Sequence, residues 1–214
     1  MADAAALKNR TIFLLLATLL TAWSYLFLDT VIARYAYRLI SASDRLMQAT
    51  SDIPDLLLHM VIVITVLCWT GYFFLTRRGV RNRQTQFLKV CGTVVPIAFI
   101  SKAIFQYGFG RSDPRAWLFD HQLPRFYWFR ADAGYGCFPS GHMTVFTALM
   151  TTLSKYYPRY RLVFLGMLPF LAMALIVTYY HFLSDVIAGA CLGVMVAFLV
   201  DDALLEPARC RGVE

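Results

Sequence analysis

The sequence predicts an all-α polytopic membrane protein in which six transmembrane helices form one bundle. The chain is 59% hydrophobic and 15% charged, whereas a soluble domain carries about 25% charged residues. Six apolar runs follow one another along the chain, and Lys and Arg cluster in the segments between them. That charge pattern is typical of membrane topology, so we attribute the net charge of +7 to topology and not to nucleic-acid binding.

The six apolar runs approach the length of about 20 residues that a helix needs to cross a bilayer core of roughly 30 Å. They are Thr11–Leu28, Leu56–Thr76, Phe87–Phe105, Ser140–Tyr156, Leu162–Tyr180 and Ser184–Leu204. The first run follows Lys8 and Arg10, so a signal peptide is the alternative. Its length, and the absence of a small-x-small cleavage pattern after it, favour a retained helix. We expect residues 1–214 to form a single membrane domain.

The Lys and Arg residues also predict the orientation. With the amino terminus in the cytoplasm, more than half of the 20 Lys and Arg residues fall on the cytoplasmic side. The short loop around Arg77–Arg83 is the strongest indication, because short loops count most. Both termini are then expected in the cytoplasm.

Two long segments are expected on the outer side. The segment Asp29–Asp55 has apolar residues at helical spacing with Arg between them, which fits either an interfacial helix or a polar connector containing a short helix. The loop from Gln106 to Pro139 is rich in Trp, Phe and Tyr beside Arg. Either an interfacial aromatic belt or a substrate lid explains that composition.

The five cysteines do not indicate a disulfide framework or a zinc site. Their number is odd and none forms a Cys-x-x-Cys pair. Cys68, Cys91 and Cys191 lie in apolar runs and are interpreted as small apolar side chains. No metal ligand set is predicted.

The first candidate for chemistry is the segment Cys137–His142 at the start of the fourth run. Pro139 suits the first turn of a helix, whose free N–H groups favour an anion. Ser140 adds a hydroxyl donor, Gly141 allows close approach to the backbone, and His142 can donate a proton to a leaving oxygen. The alternative is an ordinary helix start with one interfacial histidine.

The second candidate is the pair His181 and Asp185, between the fifth and sixth runs. Residues four apart share a face if the turn is helical. A carboxylate bound to one ring nitrogen fixes the tautomer and makes the other nitrogen more basic, and therefore nucleophilic. The alternative is a structural pair in which Ser184 or Asp185 caps the sixth helix.

The third candidate is Arg111, just past the third run, because a guanidinium grips phosphate oxygens well. Lys102 lies nine residues earlier, about 13 Å deeper in a continuous helix. An intramembrane Lys is a candidate functional residue, although Lys102 could simply line a polar cavity with Gln106. Arg111 is therefore preferred over Lys102 as a phosphate ligand.

These residues together resemble the type 2 phosphatidic acid phosphatase superfamily. The resemblance rests on Pro139-Ser140-Gly141-His142 followed some forty residues later by His181-x-x-x-Asp185, and it extends over about 56–204. It implies a six-helix membrane core that hydrolyses lipid phosphates without a metal or other cofactor.

The resemblance also implies a role for each matching residue. His181 is the nucleophile that forms a phosphohistidine, Asp185 orients and activates it, and His142 is the general acid. Ser140 and Gly141 hold the phosphoryl oxygens.

Two arginines usual in the family are missing. The family has Lys-x6-Arg-Pro in its first motif, but counting back from Pro114 places Asp113 and Gln106 at those positions. An Arg also usually precedes the nucleophilic His by six residues, where this chain has Leu175. The segment Gly110–Pro114 resembles a subset with Gly-Arg-x-x-Pro, and the sphingomyelin-synthase branch also lacks the later Arg.

The missing guanidiniums should weaken stabilisation of transition-state charge. One explanation is a substrate phosphate of lower charge, such as a diester or a diphosphate-linked headgroup. The other is compensation by nearby cations, for which the candidates are Arg111, Lys102, Arg115, Arg125 and Arg130.

The leading functional hypothesis is a lipid phosphatase or diphosphatase in a bacterial inner membrane, with its site facing the periplasm. Candidate substrates are phosphatidate, phosphatidylglycerophosphate, a polyprenyl diphosphate and the phosphate of lipid A. A lipid phosphotransferase and a non-catalytic lipid-binding protein are the alternatives. The small-residue pair Gly189 and Gly193 is interpreted as packing within the bundle, with a dimer contact as the alternative.

Overall fold

The computed structural model describes residues 2–40, 53–119, 123–130 and 134–209, and this part of the chain is almost entirely helical. A short 3₁₀ turn, Pro158–Tyr160, precedes the seventh helix. The helices are α1 (Ala2–Phe27), α2 (Asp29–Ile40), α3 (Ile53–Arg77), α4 (Arg83–Phe109), α5 (Pro114–Phe119), α6 (Gly141–Tyr156), α7 (Arg161–Val177) and α8 (Leu183–Arg209).

Five helical stretches in the described ranges are long and apolar enough to cross a membrane. They are Leu7–Phe27, Leu56–Arg77, Arg83–Phe109, Pro158–Val177 and Leu183–Leu204. The predicted fourth span corresponds to α6, whose 16 residues make a helix of about 24 Å. More than half of its residues are buried, because it packs against α4, α7 and α8. The all-helical prediction is confirmed, whereas the count of six spans stays a prediction.

The bundle has two ends, which we name after an aspartate at each. At the Asp29 end, Arg111 bonds to Asp29 and to Asp185 at the start of α8. At the Asp202 end, Arg10 pairs with Asp202, near the end of α8. Helices α1, α4 and α7 run towards the Asp29 end, and α3, α6 and α8 run away from it.

Helices α6 and α8 touch backbone to backbone through two glycines. A Cβ added at Gly189 would lie 2.6 Å from the Ser140 carbonyl oxygen, and one at Gly193 would lie 2.4 Å from that of Thr144. In a bilayer such close packing replaces the hydrophobic effect as the main source of helix association. The interpretation of these glycines as packing within the bundle is confirmed, and the contact fixes α6 against the start of α8.

The outer segment predicted over Asp29–Asp55 begins with the twelve-residue helix α2. Ala33 and Ala36 are buried, whereas Val31 and Tyr35 are exposed. The short helix is therefore confirmed for residues 29–40, and residues 41–52 lie outside the described ranges. The Tyr179 hydroxyl donates to the Ala36 carbonyl at 3.1 Å and ties α2 to the chain just after α7.

Candidate active site

The segment that carries Ser140 and His142 differs from the predicted helix start. Helix α6 begins at Gly141, and Ser140 is its N-cap, with its hydroxyl accepting from the Met143 N–H at 3.3 Å. The expectation that Pro139 lies in the first turn is wrong: Pro139 precedes the cap and follows a cis peptide bond. The Ser140 N–H donates to the Asp185 carbonyl at 3.0 Å, so the two motifs are bonded to each other.

Asp185 lies in the first turn of α8 and serves the helix start as well as the site. Its Oδ2 accepts from the Phe182 N–H at 2.8 Å, as an acidic residue does at the third position of a capping box. The prediction that Ser184 or Asp185 is the N-cap is wrong, because α8 begins at Leu183; Asp185 instead bonds back to Phe182, the residue that precedes the helix. The same carboxylate lies near His181, so the structural and catalytic interpretations of the pair are compatible.

The contact between His181 and Asp185 is not direct. His181 Nδ1 lies 3.9 Å from Asp185 Oδ2, which is beyond hydrogen-bond length. The thiol of Cys137 contacts both atoms, at 3.2 Å from Nδ1 and 3.0 Å from Oδ2. All three side chains are buried.

Arg111 is fully buried, and the structure gives it partners other than the predicted phosphate. One terminal nitrogen donates to Asp185 Oδ1 at 2.5 Å and to the Ser184 hydroxyl at 2.7 Å. The other donates to Asp29 Oδ2 at 2.6 Å. Burial alone would lower the pKa of Arg111, but the two carboxylates outweigh it and raise that pKa. Arg111 therefore holds Asp185 in place in this structure.

Aromatic rings enclose this guanidinium. The rings of Tyr25, Phe126 and Phe182 have their centroids 4.9, 5.4 and 4.4 Å from the Arg111 guanidinium carbon. Part of the aromatic loop is thus packed inward, since Phe126 also contacts the rings of Phe109 and Phe138. Trp128 and Phe129 remain largely exposed, so an interfacial belt is compatible only with that part of the loop.

Lys102 lies beside Gly141 at the start of α6. A Cβ built at Gly141 would approach the Lys102 Cδ at 3.0 Å and its Nζ at 3.3 Å, so the missing side chain makes room for this amine. One turn further along α4, the Gln106 amide donates to the Pro139 carbonyl at 3.1 Å. The Lys102 and Gln106 face of α4 therefore supports the loop that carries Ser140 and Gly141.

His181 lines a cavity of about 250 Å³ at the Asp29 end. The pKa of His181 is lowered to about 3, first by burial and then by the nearby His142, with smaller contributions from Lys102 and Arg111. The Tyr180 ring contacts both imidazoles edge-on, with centroids 5.9 Å from His142 and 5.7 Å from His181. His181 is therefore neutral near pH 7 and close to His142.

Arg115 also lines this cavity, where it donates to the Thr178 carbonyl at 3.1 Å and lies over Tyr180. Arg125 and Arg130, the other proposed substitutes, lie over the Tyr127 ring instead. The structure thus places Lys102 and Arg115 nearer to the candidate site residues.

One group in the described residues offers metal-ligand atoms close together, namely Cys137, His181 and Asp185, within 4.8 Å of one another. Thiolate, imidazole and carboxylate are ligands of zinc. However, the cationic Arg111 is bonded to the same carboxylate, and its charge opposes a second cation there. A hydrogen-bonded cluster fits this donor set better.

Sequence reasoning gave no role to Asp29 or Cys137. Asp29 accepts from the Ser184 N–H at 2.9 Å and from its hydroxyl at 2.5 Å, in addition to Arg111. Its position directly after a predicted span was the available signal. For Cys137 the signal was its place beside the Phe-Pro-Ser-Gly-His motif, outside the apolar runs.

Two curated proteins are similar to part of this chain. A lipid A 1-phosphatase of Rhizobium etli is 31% identical over 101 residues, which are 47% of this chain and 43% of that protein. A lipid A 1-phosphatase of Rhizobium johnstonii is 32% identical over 80 residues, 37% of this chain and 33% of that protein. The matched part of the chain spans less than half the length of these curated relatives.

The fold also matches the crystal structure of the first transmembrane PAP2 type phosphatidylglycerolphosphate phosphatase from Bacillus subtilis. The TM-score is 0.56 with 17% sequence identity, over 92% of this chain and 96% of that one. At this identity the match shows a shared fold. The family model of the PAP2 superfamily matches residues 87–203, more than half of the chain and all four of Ser140, His142, His181 and Asp185. The chain therefore belongs to the PAP2 superfamily.

Proposed function

We propose that this protein is a membrane lipid phosphatase that hydrolyses a lipid phosphate through a phosphohistidine intermediate. The observation that carries the proposal is the setting of His181: a neutral imidazole at a cavity, backed by Asp185 and close to His142. A nucleophilic imidazole needs a free lone pair, and the lowered pKa of His181 supplies it near pH 7.

In the proposed first step, Nε2 of His181 attacks phosphorus, because Nδ1 faces Cys137. A nitrogen–phosphorus bond forms and the bond from phosphorus to the lipid oxygen breaks. His142 gives a proton to that departing oxygen. In the second step water attacks phosphorus, His142 takes back a proton, and His181 is released with inorganic phosphate.

The charge of the phosphoryl group needs donors, and Lys102 and Gly141 are proposed to supply them with the N–H groups at the start of α6. The contact between Lys102 and Gly141 supports this assignment. Ser140 remains in the proposed phosphate-binding set through its place at the helix start. Arg111 is proposed to position Asp185, because its terminal nitrogens already bind two carboxylates.

A lipid substrate is supported by a second cavity, of about 540 Å³, among α1, α4 and α8. Its walls are almost entirely apolar and include Phe138 and Pro139, which directly precede Ser140. An apolar chain suits such walls. Because both curated relatives are lipid A 1-phosphatases, the phosphate of lipid A is the first substrate to test.

The decisive experiment measures phosphate release by the purified protein in detergent micelles. The panel contains lipid A, phosphatidate, phosphatidylglycerophosphate and a polyprenyl diphosphate, with and without an acceptor lipid to detect transfer. His181→Ala should lower turnover at least about 1,000-fold. His59→Ala, an exposed histidine on α3, is the matched control and should leave turnover unchanged.

Turnover that survives in His181→Ala would refute the nucleophile assignment. A phosphorylated protein trapped by rapid quenching should be labile to acid and stable to base, and should be missing from His181→Ala. A new lipid phosphate formed only with acceptor would favour a phosphotransferase instead.

The proposed orientation places the Asp29 end at the periplasmic face and the Asp202 end, with its arginines, in the cytoplasm. The test is labelling of intact cells with a membrane-impermeant maleimide. Trp128→Cys at the Asp29 end should react, and Arg81→Cys between α3 and α4 should react only after lysis. The reverse pattern would overturn the orientation.

A further inference from the structure

The thiol of Cys137 completes a contact that His181 and Asp185 do not make directly. Nδ1 and Oδ2 are 3.9 Å apart, whereas an N–H···O hydrogen bond requires about 2.7–3.2 Å. The Cys137 sulfur lies 3.2 Å from Nδ1 and 3.0 Å from Oδ2, within range for the larger sulfur atom. The hydrogen-bonded connection between this carboxylate and the imidazole therefore runs through the thiol.

The donors and acceptors form one consistent arrangement. A neutral imidazole has one N–H, and Nδ1 must carry it if Nε2 is to attack phosphorus. Nδ1–H then donates to the Cys137 sulfur, and the S–H donates to Asp185 Oδ2. The other oxygen of Asp185 accepts from Arg111, so the carboxylate remains an acceptor.

Backbone bonding fixes the position of the thiol. The Cys137 N–H donates to the Arg111 carbonyl at 3.1 Å, next to a bridge between Arg111 and Gly136. The Cys137 side chain is buried, and burial raises the pKa of its thiol, which keeps the S–H in place as a donor. The alternative acceptor, the Tyr180 carbonyl, lies farther away at 3.6 Å.

We propose that Cys137 is a positioning residue through which Asp185 sets the tautomer of the His181 ring. The inference rests on the proposed function of His181 as nucleophile. When Nε2 bonds to phosphorus and the ester bond breaks, the proton on Nδ1 stays and the ring becomes cationic. Asp185 then stabilises that cation through the thiol, and the proton delivered to the leaving oxygen comes from His142.

The test compares Cys137→Ala, which removes the bridge, with Cys137→Ser, whose hydroxyl is also a donor and an acceptor. Cys91→Ala, a buried cysteine of the bundle core, is the matched control. Cys137→Ala should lower kcat about 10- to 100-fold with little change in KM. Cys137→Ser should stay within a few-fold of the unchanged protein, and Cys91→Ala should equal it.

A spectroscopic readout separates positioning from a merely structural role. The chain has four histidines, so ring ¹⁵N NMR signals can be assigned by single substitutions. The unchanged protein and Cys137→Ser should show His181 protonated on Nδ1, and Cys137→Ala should lose that preference. An unaltered tautomer and kcat in Cys137→Ala would overturn the inference.

Three further outcomes are decisive. If the purified protein contains stoichiometric zinc by elemental analysis and Cys137→Ala loses it, the thiol is a metal ligand and the hydrogen-bonded bridge is refuted. If His181→Ala retains turnover, the proposed function fails; if His181→Ala is inactive while Cys137→Ala is fully active, only the role of Cys137 fails.

Discussion

The two ends of α8 both carry ion pairs with other helices, but their surroundings differ. At the Asp202 end, the Arg10 and Asp202 side chains are 31% and 40% exposed, and Lys155, which is 47% exposed, pairs with Asp201, which is only 4% exposed. At the Asp29 end, Arg111, Asp29 and Asp185 are each at most 1% exposed. The Arg10–Asp202 pair is hydrated and the Lys155–Asp201 pair is buried on one side only, whereas Arg111, Asp29 and Asp185 form a closed ionic cluster.

The difference matters because desolvation changes what an ion pair does. Exposed pairs contribute little to stability, since water and salt screen them. A buried pair gains little on balance, but losing one partner leaves an uncompensated charge and is strongly destabilising. The cluster at the Asp29 end is thus poorly explained by stability alone, which supports the proposal that it holds Asp185 in one orientation near His181.

The largest loss of stability is expected for Arg111→Ala, which removes the cation from the buried cluster. It strands the carboxylates of Asp29 and Asp185 inside the protein, at an expected cost of about 3–5 kcal/mol. Arg111→Lys should rescue only part of this, because an ammonium cannot bridge two carboxylates as a planar guanidinium does. Thermal denaturation in detergent, followed by circular dichroism, measures the loss. Stability equal to that of the unchanged protein would show that the cluster opens to water.

The second largest effect, on kcat, is expected at Lys102, whose side chain on α4 lies beside Gly141. Lys102→Met should lower kcat about 100- to 1,000-fold, the usual cost of removing one donor to transition-state charge. Lys89→Met, on the same helix but towards the Asp202 end, is the control and should retain activity. A normal kcat in Lys102→Met, with loss in Arg115→Met, would move the phosphate-binding role to Arg115.

The third effect concerns pH and stability. The pKa of His181 falls from 6.5 to about 3 on folding, so between these values the unfolded chain binds the extra proton. The contribution of His181 to stability therefore declines as pH falls below about 6.5, by about 2 kcal/mol at pH 5. The free energy of unfolding should be measured at pH 7 and at pH 5. The difference between the two values should be smaller in His181→Gln than in the unchanged protein. The same pH dependence of unfolding in His181→Gln and in the unchanged protein would show that another group takes up the proton.

The sequence predicted the helical fold and brought His142, His181 and Asp185 to one end, because apolar length and charge placement record the path of a chain through a membrane. It did not predict the partners of Arg111. A guanidinium binds a carboxylate as readily as a phosphate, so the sequence could not tell which of the two Arg111 binds. Only the fold shows that Asp29 lies within hydrogen-bond distance of it. Sequence spacing also paired His181 directly with Asp185, because it could not show that the Cys137 thiol contacts both.

The smallest effect on stability is expected at the Asp202 end, where the Arg10–Asp202 pair is hydrated. Asp202→Asn removes the charge opposite Arg10, and stability should change by less than about 1 kcal/mol, since both side chains remain hydrated. Raising the salt concentration should shrink even this difference, because exposed charges are screened. Denaturation of Asp202→Asn beside Arg111→Ala measures the contrast directly. A loss at Asp202 as large as that at Arg111 would show that burial does not separate the two ends.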